Sequence, residues 1–286
     1  MGISREQALD CFRSDDLIGI GMEADAVRRR LHPEGVVSYA MEAVIACANR
    51  DPDAVYADIA RAEEMGATGI VIGGQIGLES AEVLLAGIEQ RFPELRVQGF
   101  SSRELAAFGP HAVERLHDAG LDAIGGTSPE TPDDTWIAAH RAAHRAGMIT
   151  TARIVFGAGE TVDQRLDGLE AIRALQAETG GFAALAPISY HAVGGRELDE
   201  TTAVEYLKML AVTRMVVETI ENVQADWTTQ GLKVLQMALR FGASDVGSVR
   251  VDTRKGATEE EIRRVIRDAG FQPAQRDLGY RVMMLG

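Results

Sequence analysis

The chain has 286 residues, a formal net charge of −14 from 29 basic and 43 acidic side chains, and two cysteines. Protonating all six histidines still leaves −8, so the basic field that phosphate backbones and anionic lipid require is missing, and nucleic-acid and membrane partners are excluded. Two cysteines rule out a disulfide framework, a four-cysteine zinc site and a three-cysteine iron–sulfur cluster within one chain.

In chain order, residues 1–16 are polar and of mixed charge, unlike a signal peptide, and no later apolar run approaches the ~20 residues of a membrane span. A cytoplasmic protein is expected. Helical patterns at 4–13 and 23–31 form an N-terminal extension that ends at His32-Pro33-Glu34-Gly35. Strand-like runs then alternate with amphipathic helices. The strands are at 36–47, 68–73, 96–100, 123–125, 149–156, 182–190, 223–227 and 246–251. The helices are at 53–65, 78–91, 103–119, 135–146, 162–178, 201–220, 230–241 and 259–269. Thr258 with Glu261 makes a capping box, and Gly270 follows that last helix. Eight strand–helix units at a spacing of about 30 residues predict an α/β fold, a (β/α)8 TIM-type barrel. One domain over 1–286 is expected, with 1–35 as a helical extension. An open doubly wound sheet is the alternative, but no glycine-rich dinucleotide fingerprint follows the first strand.

Barrel chemistry sits at the C-terminal ends of the strands. Strand one offers Tyr39 and Glu42, and strand three Ser101 and Ser102. Gly73-Gly74-Gln75 ends strand two without side chains on two residues, which suits close backbone approach to a ligand or an ordinary tight turn. Gly125-Gly126-Thr127 ends strand four. Strand five ends in Arg153-Ile-Val-Phe-Gly157-Ala-Gly-Glu160, an apolar face and glycine that leave a slot for a planar ring; the plainer reading is a turn with Glu160 capping the next helix. Tyr190-His191 and Asp226-Trp227 end neighbouring strands. An imidazole beside a carboxylate makes an acid–base pair, and the aromatics suit a flat or cationic ligand. The plainer reading is that Asp226 caps the helix that follows. His140 and His144 have metal-ligand spacing, but no third ligand accompanies them. They are assigned to a surface helix face, and no metal site is expected.

Five segments resemble one family in the same order. They include Arg28-Arg-Arg-Leu-His-Pro-Glu-Gly-Val-Val-Ser-Tyr39, Gln224-Ala-Asp-Trp-Thr-Thr-Gln-Gly-Leu-Lys233 and Ala269-Gly-Phe-Gln-Pro-Ala-Gln-Arg-Asp277, with further runs at 174–182 and 238–248. The chain resembles the radical S-adenosylmethionine (SAM) enzymes of the futalosine route to menaquinone, nearest the dehypoxanthine futalosine cyclase and aminofutalosine synthase branch. That resemblance implies the same barrel. It also implies a CxxxCxxC loop after strand one, which this chain lacks; Cys47 falls where the family has a strand tyrosine. No iron–sulfur cluster and no radical chemistry are therefore expected. Gly73-Gly74-Gln75 resembles the family's motif for the methionine amino group. Val155, Gly157 and Glu160 match its adenine motif, and Gly125-Gly126-Thr127 its strand-four glycines near the ribose. The resemblance thus implies SAM, here as a substrate.

Asp226 and His191 stand where the cyclase branch has Ser and Gln, so new ionisable groups suggest polar chemistry. A non-radical SAM-dependent enzyme is expected, with methyl or other group transfer first. Intramolecular displacement releasing methylthioadenosine is close behind. His191, Asp226, Tyr190 and Glu42 are the catalytic candidates. Tyr39, Arg153 and Trp227 join the glycine motifs as ligand contacts. The alternatives are a lyase, hydrolase or isomerase acting on a futalosine-like nucleoside without SAM, and a non-catalytic nucleoside-binding protein. A small molecule is the expected partner, and a homodimer is left open.

Overall fold

Strand β1, Val36–Ala46, organises the molecule. It pairs in parallel with β2 (Gly69–Gly73) through residues 42–46, with β8 (Asp245–Arg250) through 38–42, and with β9 (Gln272–Arg276) through 36–40. β3 (Arg96–Gly99) and β4 (Ala123–Ile124) follow β2, while β5 (Thr150–Phe156), β6 (Phe182–Ser189) and β7 (Asn222–Val223) make the opposite arc. A bridge from Gln224 to Asp245 joins that arc to β8. Between β4 and β5 no strand pairing is made among the described residues. These relations come from a computed structural model that describes residues 2–125, 132–190, 201–253 and 256–286. They form the expected (β/α)8 barrel, with α1 (Arg5–Arg13) and α2 (Leu17–Leu31) preceding it.

The outer helices are α3 (Pro52–Glu64), α4 (Leu78–Arg91), α5 (Ser102–Phe108), α6 (Ala112–Asp118), α7 (Asp134–Arg145), α8 (Val162–Thr179), α9 (Ala203–Val216), α10 (Trp227–Ala238) and α11 (Glu259–Asp268). Their inward faces and the outward faces of the strands build one continuous apolar core. α9 and β7 are shorter than the pattern, and three other boundary differences have a local cause. α2 starts at Leu17 rather than 23, because the Asp16 side chain accepts from the Gly19 amide and caps it. The stretch 103–119 is two helices, since Pro110 has no N–H to give and His111 takes a left-handed conformation. α10 begins at Trp227 and breaks at Gly231, whose φ is 79°.

The histidines of α7 correct the surface assignment. His140 is buried beside Trp136 and Phe182, and His144 is half-buried edge-on to Phe182. Their tautomers follow from the hydrogen bonds. Thr179 donates to the Leu175 carbonyl, so it accepts from His144 Nδ1 at 2.6 Å. His144 Nε2 then accepts from Thr150 at 2.9 Å, and Thr150 accepts from His140 Nδ1 at 3.0 Å. Both rings sit neutral in this chain. Burial holds His140 down to about 3, helped by His144 and Arg153, and holds His144 down to about 4.

The sequence pattern also omits a C-terminal hairpin of β9 and antiparallel β10 (Val282–Leu285). Thr68 Oγ1 lies 3.1 Å from the Met41 carbonyl and 3.2 Å from that of Arg276, tying the end of β9 to the start of β2. Arg276 crosses the inner face of β1 to Asp245 on β8, with contacts of 2.5 and 2.8 Å. Ser38 Oγ and the Gly247 amide complete the carboxylate's donors at 2.5 and 2.7 Å. Burial opposes the Arg276 charge, but the Asp245 carboxylate outweighs it and raises the pKa.

Removing one partner leaves the other ion buried and uncompensated. Asp245→Asn should cost about 3–5 kcal/mol in urea unfolding, and Asp245→Leu combined with Arg276→Met should cost less than either single replacement. The histidines give a second test. The unfolded rings bind protons near 6.5 that the folded rings refuse. Their contribution is complete above pH 6.5 and is lost as pH falls toward about 4 for His144 and about 3 for His140. Each ring supplies a slope of about 1.4 kcal/mol per pH unit inside its window. His140→Phe should flatten the dependence of urea stability on pH between 6.5 and 4.5; an unchanged slope would remove His140 from it.

Candidate active site

Alternation along β5 sorts its side chains. Thr150, Ala152, Ile154 and Phe156 are buried under the helices, while Thr151, Arg153 and Val155 face inward and are partly open. Thr151 and Arg153 line a cavity of about 420 Å³ at the C-terminal end of the barrel, a volume suited to a small-molecule site. Glu42 enters it from β1, Gln98 from β3, Ser189 from β6 and Ser248 from β8. Gln224 and Asp226 reach it beyond β7, and Trp227, Thr228 and Thr229 of α10 form one wall. Arg276, Leu278 and Tyr280 form the floor.

Glu42, Arg153, Asp226 and Trp227 are thus brought together. Asp226 also does what the plainer reading expects. It caps α10, accepting from the Thr228 amide at 3.0 Å and hydroxyl at 2.5 Å, and from the Thr229 hydroxyl. Since Thr229 donates to Asp226, Ser189 donates to Thr229 at 2.9 Å, and Gln230 donates to Ser189 at 2.8 Å. The Asp226 amide donates to the buried Tyr206 hydroxyl at 2.6 Å. Asp226 is held in one orientation on the cavity wall.

The glycine motifs sit apart from that cavity. Gly74 has φ 95°, and a Cβ on it would lie 3.0 Å from the Ala48 Cβ. The missing side chain therefore admits the turn from β1 to α3. Gly74 and Gln75 are exposed, and Gly73 accepts from the Cys47 amide. Gly157 has φ 86°, and a Cβ there would lie 2.3 Å from Thr201 Oγ1, so Thr201 covers the slot face of that glycine. Thr201 Oγ1 is itself buried without a hydrogen-bond partner. Glu160 accepts from the Gly157 and Ala158 amides at 2.7 and 2.8 Å and from Arg165 at 2.6 Å. Burial opposes its charge, yet the Gly157 amide and Arg165 bring its pKa below the usual carboxylate range. α8 is capped by Thr161, not by Glu160.

Tyr39 points away from the barrel interior. Its hydroxyl donates to Glu259 at 2.7 Å and accepts from Arg263 at 3.1 Å, and burial followed by Glu259 pushes its pKa up to about 12. Tyr190 is exposed at the end of β6, its amide bonded to the Phe156 carbonyl, and does not line the cavity. Gly125 receives Gln98 Nε2 on its carbonyl at 3.2 Å. Gly126, Thr127 and His191 lie outside the described residues. Gln98, Thr151, Gln224, Arg276 and Tyr280 also line the cavity, outside the strand-end motifs of the sequence. Thr151 is within reach of them, standing two residues before Arg153 on the same strand face.

The donor set does not fit a three-thiolate cluster. Of the two cysteines, Cys11 lies on α1 and Cys47 donates its thiol to the Ile45 carbonyl, with burial pushing its pKa up to about 11. Among the described residues no three His, Cys, Asp or Glu side chains gather as metal ligands. No described helix is long and apolar enough to cross a membrane.

Residues 180–285 match the CofH/MqnC C-terminal region. Over 99% of its length the chain is 30% identical to the cyclic dehypoxanthine futalosine synthase of Streptomyces coelicolor, covering 86% of that protein. It is 33% identical over 77% of its length to a 5-amino-6-(D-ribitylamino)uracil–L-tyrosine 4-hydroxyphenyl transferase of Methanosarcina barkeri, covering 69% of it. The aminodeoxyfutalosine synthase of Thermus thermophilus is 29% identical over 69% of this chain and 63% of that protein. Among solved structures, a methylornithine synthase superposes with a TM-score of 0.71 at 13% identity, over 96% of this chain and 95% of that one. At that identity the likeness is one of fold.

Proposed function

Because this chain belongs to the family of the cyclic dehypoxanthine futalosine synthases, we propose that it is an enzyme acting on a small molecule, with SAM as substrate in non-radical chemistry. The relatives bear the names of enzymes. The observation that carries the reading is the convergence of Glu42, Asp226 and Trp227 on one cavity, in a chain with too few thiols for the family cluster. Two carboxylates and an indole suit a sulfonium cation. Arg153, lining the same cavity, suits a substrate carboxylate.

The step needs no electron donor. A lone pair on the acceptor forms a bond to the sulfonium methyl carbon, the S–CH₃ bond breaks, and its electron pair stays on sulfur as a neutral thioether. The acceptor's proton passes to Asp226 or Glu42. Alignment of the two reactants supplies most of the rate, since the sulfonium is already activated. Displacement within the aminocarboxypropyl chain obeys the same balance and releases methylthioadenosine. His191 is kept as a second base on the sequence argument alone.

One observation favours a different reading. Ala48 against Gly74 and Thr201 over Gly157 take up space that the resemblance assigns to SAM. A lyase, hydrolase or isomerase acting on a futalosine-like nucleoside, without SAM, fits that better.

Calorimetric titration separates the two. SAM should bind the iron-free protein with a Kd in roughly the micromolar range and more tightly than adenosine; adenosine binding without SAM binding would sink the first reading and support the second. Asp226→Asn keeps a capping side chain. It should leave the unfolding midpoint near wild type and cut formation of S-adenosylhomocysteine or methylthioadenosine from SAM by about 10²–10⁴-fold. Unchanged turnover would remove Asp226 from proton transfer.

A further inference from the structure

A second cavity, of about 500 Å³, opens on the N-terminal face of the barrel. His32, Glu34 and Glu221 stand at its polar edge, and Ser38 and Phe182 are among its walls. Among the described residues the two cavities share one lining side chain, Tyr280.

Tyr280 is held there from three directions. The turn after β9 presents it with φ 64°, a conformation that a bulky residue adopts only when its surroundings impose it. The Arg276 guanidinium lies 3.8 Å from its ring centroid, and Arg276 is in turn locked to Asp245. Its hydroxyl meets Thr151 Oγ1 at 3.4 Å and accepts from Gln224 Nε2. Thr151 and Gln224 both face the upper cavity. Gln224 lays its amide nitrogen on the Tyr280 hydroxyl, with its carbonyl oxygen on the side of Gly247.

We propose that Tyr280 is a specificity-determining residue: its ring closes the floor between the two chambers, its hydroxyl holds the Gln224 amide against that floor, and together they set how deep a ligand reaches. This rests on the reading that the upper cavity is the substrate site. The device is contributed by the C-terminal hairpin and so is independent of the loops at the barrel mouth.

The test uses the full chain as wild type and as two variants of one position. SAM and adenosine are titrated calorimetrically against wild type, Tyr280→Phe and Tyr280→Ala, with thermal unfolding alongside. Tyr280→Phe keeps the ring, so its unfolding midpoint should stay near wild type while affinity for the bound probe falls roughly fivefold to tenfold, the scale of one hydrogen bond. Tyr280→Ala joins the chambers; affinity should fall roughly a hundredfold, and 4-methylphenol, which fills the vacated slot, should restore at least tenfold of it. Wild-type affinity in both folded variants would overturn the proposal. So would a Tyr280→Ala protein to which 4-methylphenol neither binds nor restores affinity. If neither SAM nor adenosine binds wild type, the substrate reading fails on its own. Saturable 4-methylphenol binding to Tyr280→Ala but not to wild type then decides whether Tyr280 closes the floor.

Discussion

The buried pair of Asp245 and Arg276 is the constraint on which the lower half of the barrel depends. One carboxylate collects four donors, two from Arg276 and one each from Ser38 and the Gly247 amide. An ion this deep is tolerated only with its hydrogen bonds complete, so β8, β1 and β9 have a single relative position that satisfies it. That position carries the turn after β9 into the lumen. It also explains why β9 pairs with the first half of β1 and β2 with the second: both lie on the same flank, one below the other. Arg214 plays a similar part nearby, donating to the Gly242, Ile220 and Glu221 carbonyls while burial, with Arg28 adding to it, brings its pKa down to about 9.

The barrel itself was legible because each unit states its period twice, once as an apolar strand and once as an amphipathic helix. Failures came where one residue outweighs a pattern. Pro110 cuts a helix whose periodicity runs through it. Asp16 starts α2 early because a cap needs only one side chain. β9 was missed because it carries Gln272, Pro273, Gln275 and Arg276, and its pairing depends on the partner strand, not on its own composition. His140 reads as a surface residue because two histidines and two arginines make a polar face; the rings are buried because Thr150 and Thr179 satisfy them.

Within the site, strand-end position was the useful signal. Strands end near Glu42, Arg153, Asp226 and Trp227, and the barrel brings those ends together. Composition was a poorer guide to the glycines. Gly74 reads as a ligand contact, yet its neighbour is Ala48. Five residues, 47–51, join β1 to α3, fewer than the eight of a CxxxCxxC loop, and the short turn packs against the end of β2. A glycine can serve backbone packing as well as binding, and a single sequence does not distinguish the two uses.

The first turn of α10 shows how an ordinary cap acquires a second use. Asp226 must accept from the Thr228 amide to start the helix. Because Thr229 also donates to it, Thr229 can only accept from Ser189, and Ser189 only from Gln230. The direction of every proton in the chain follows from one carboxylate. The chain ties the end of β6 to the turn after β7 and returns to Gln230, one residue before the break at Gly231. That break lets residues 227–230 follow the cavity wall while the rest of α10 packs against α11 and α9. The helix therefore meets two geometric demands that a straight one would set against each other: its body covers the barrel, and its first turn holds the Asp226 carboxylate on the cavity wall.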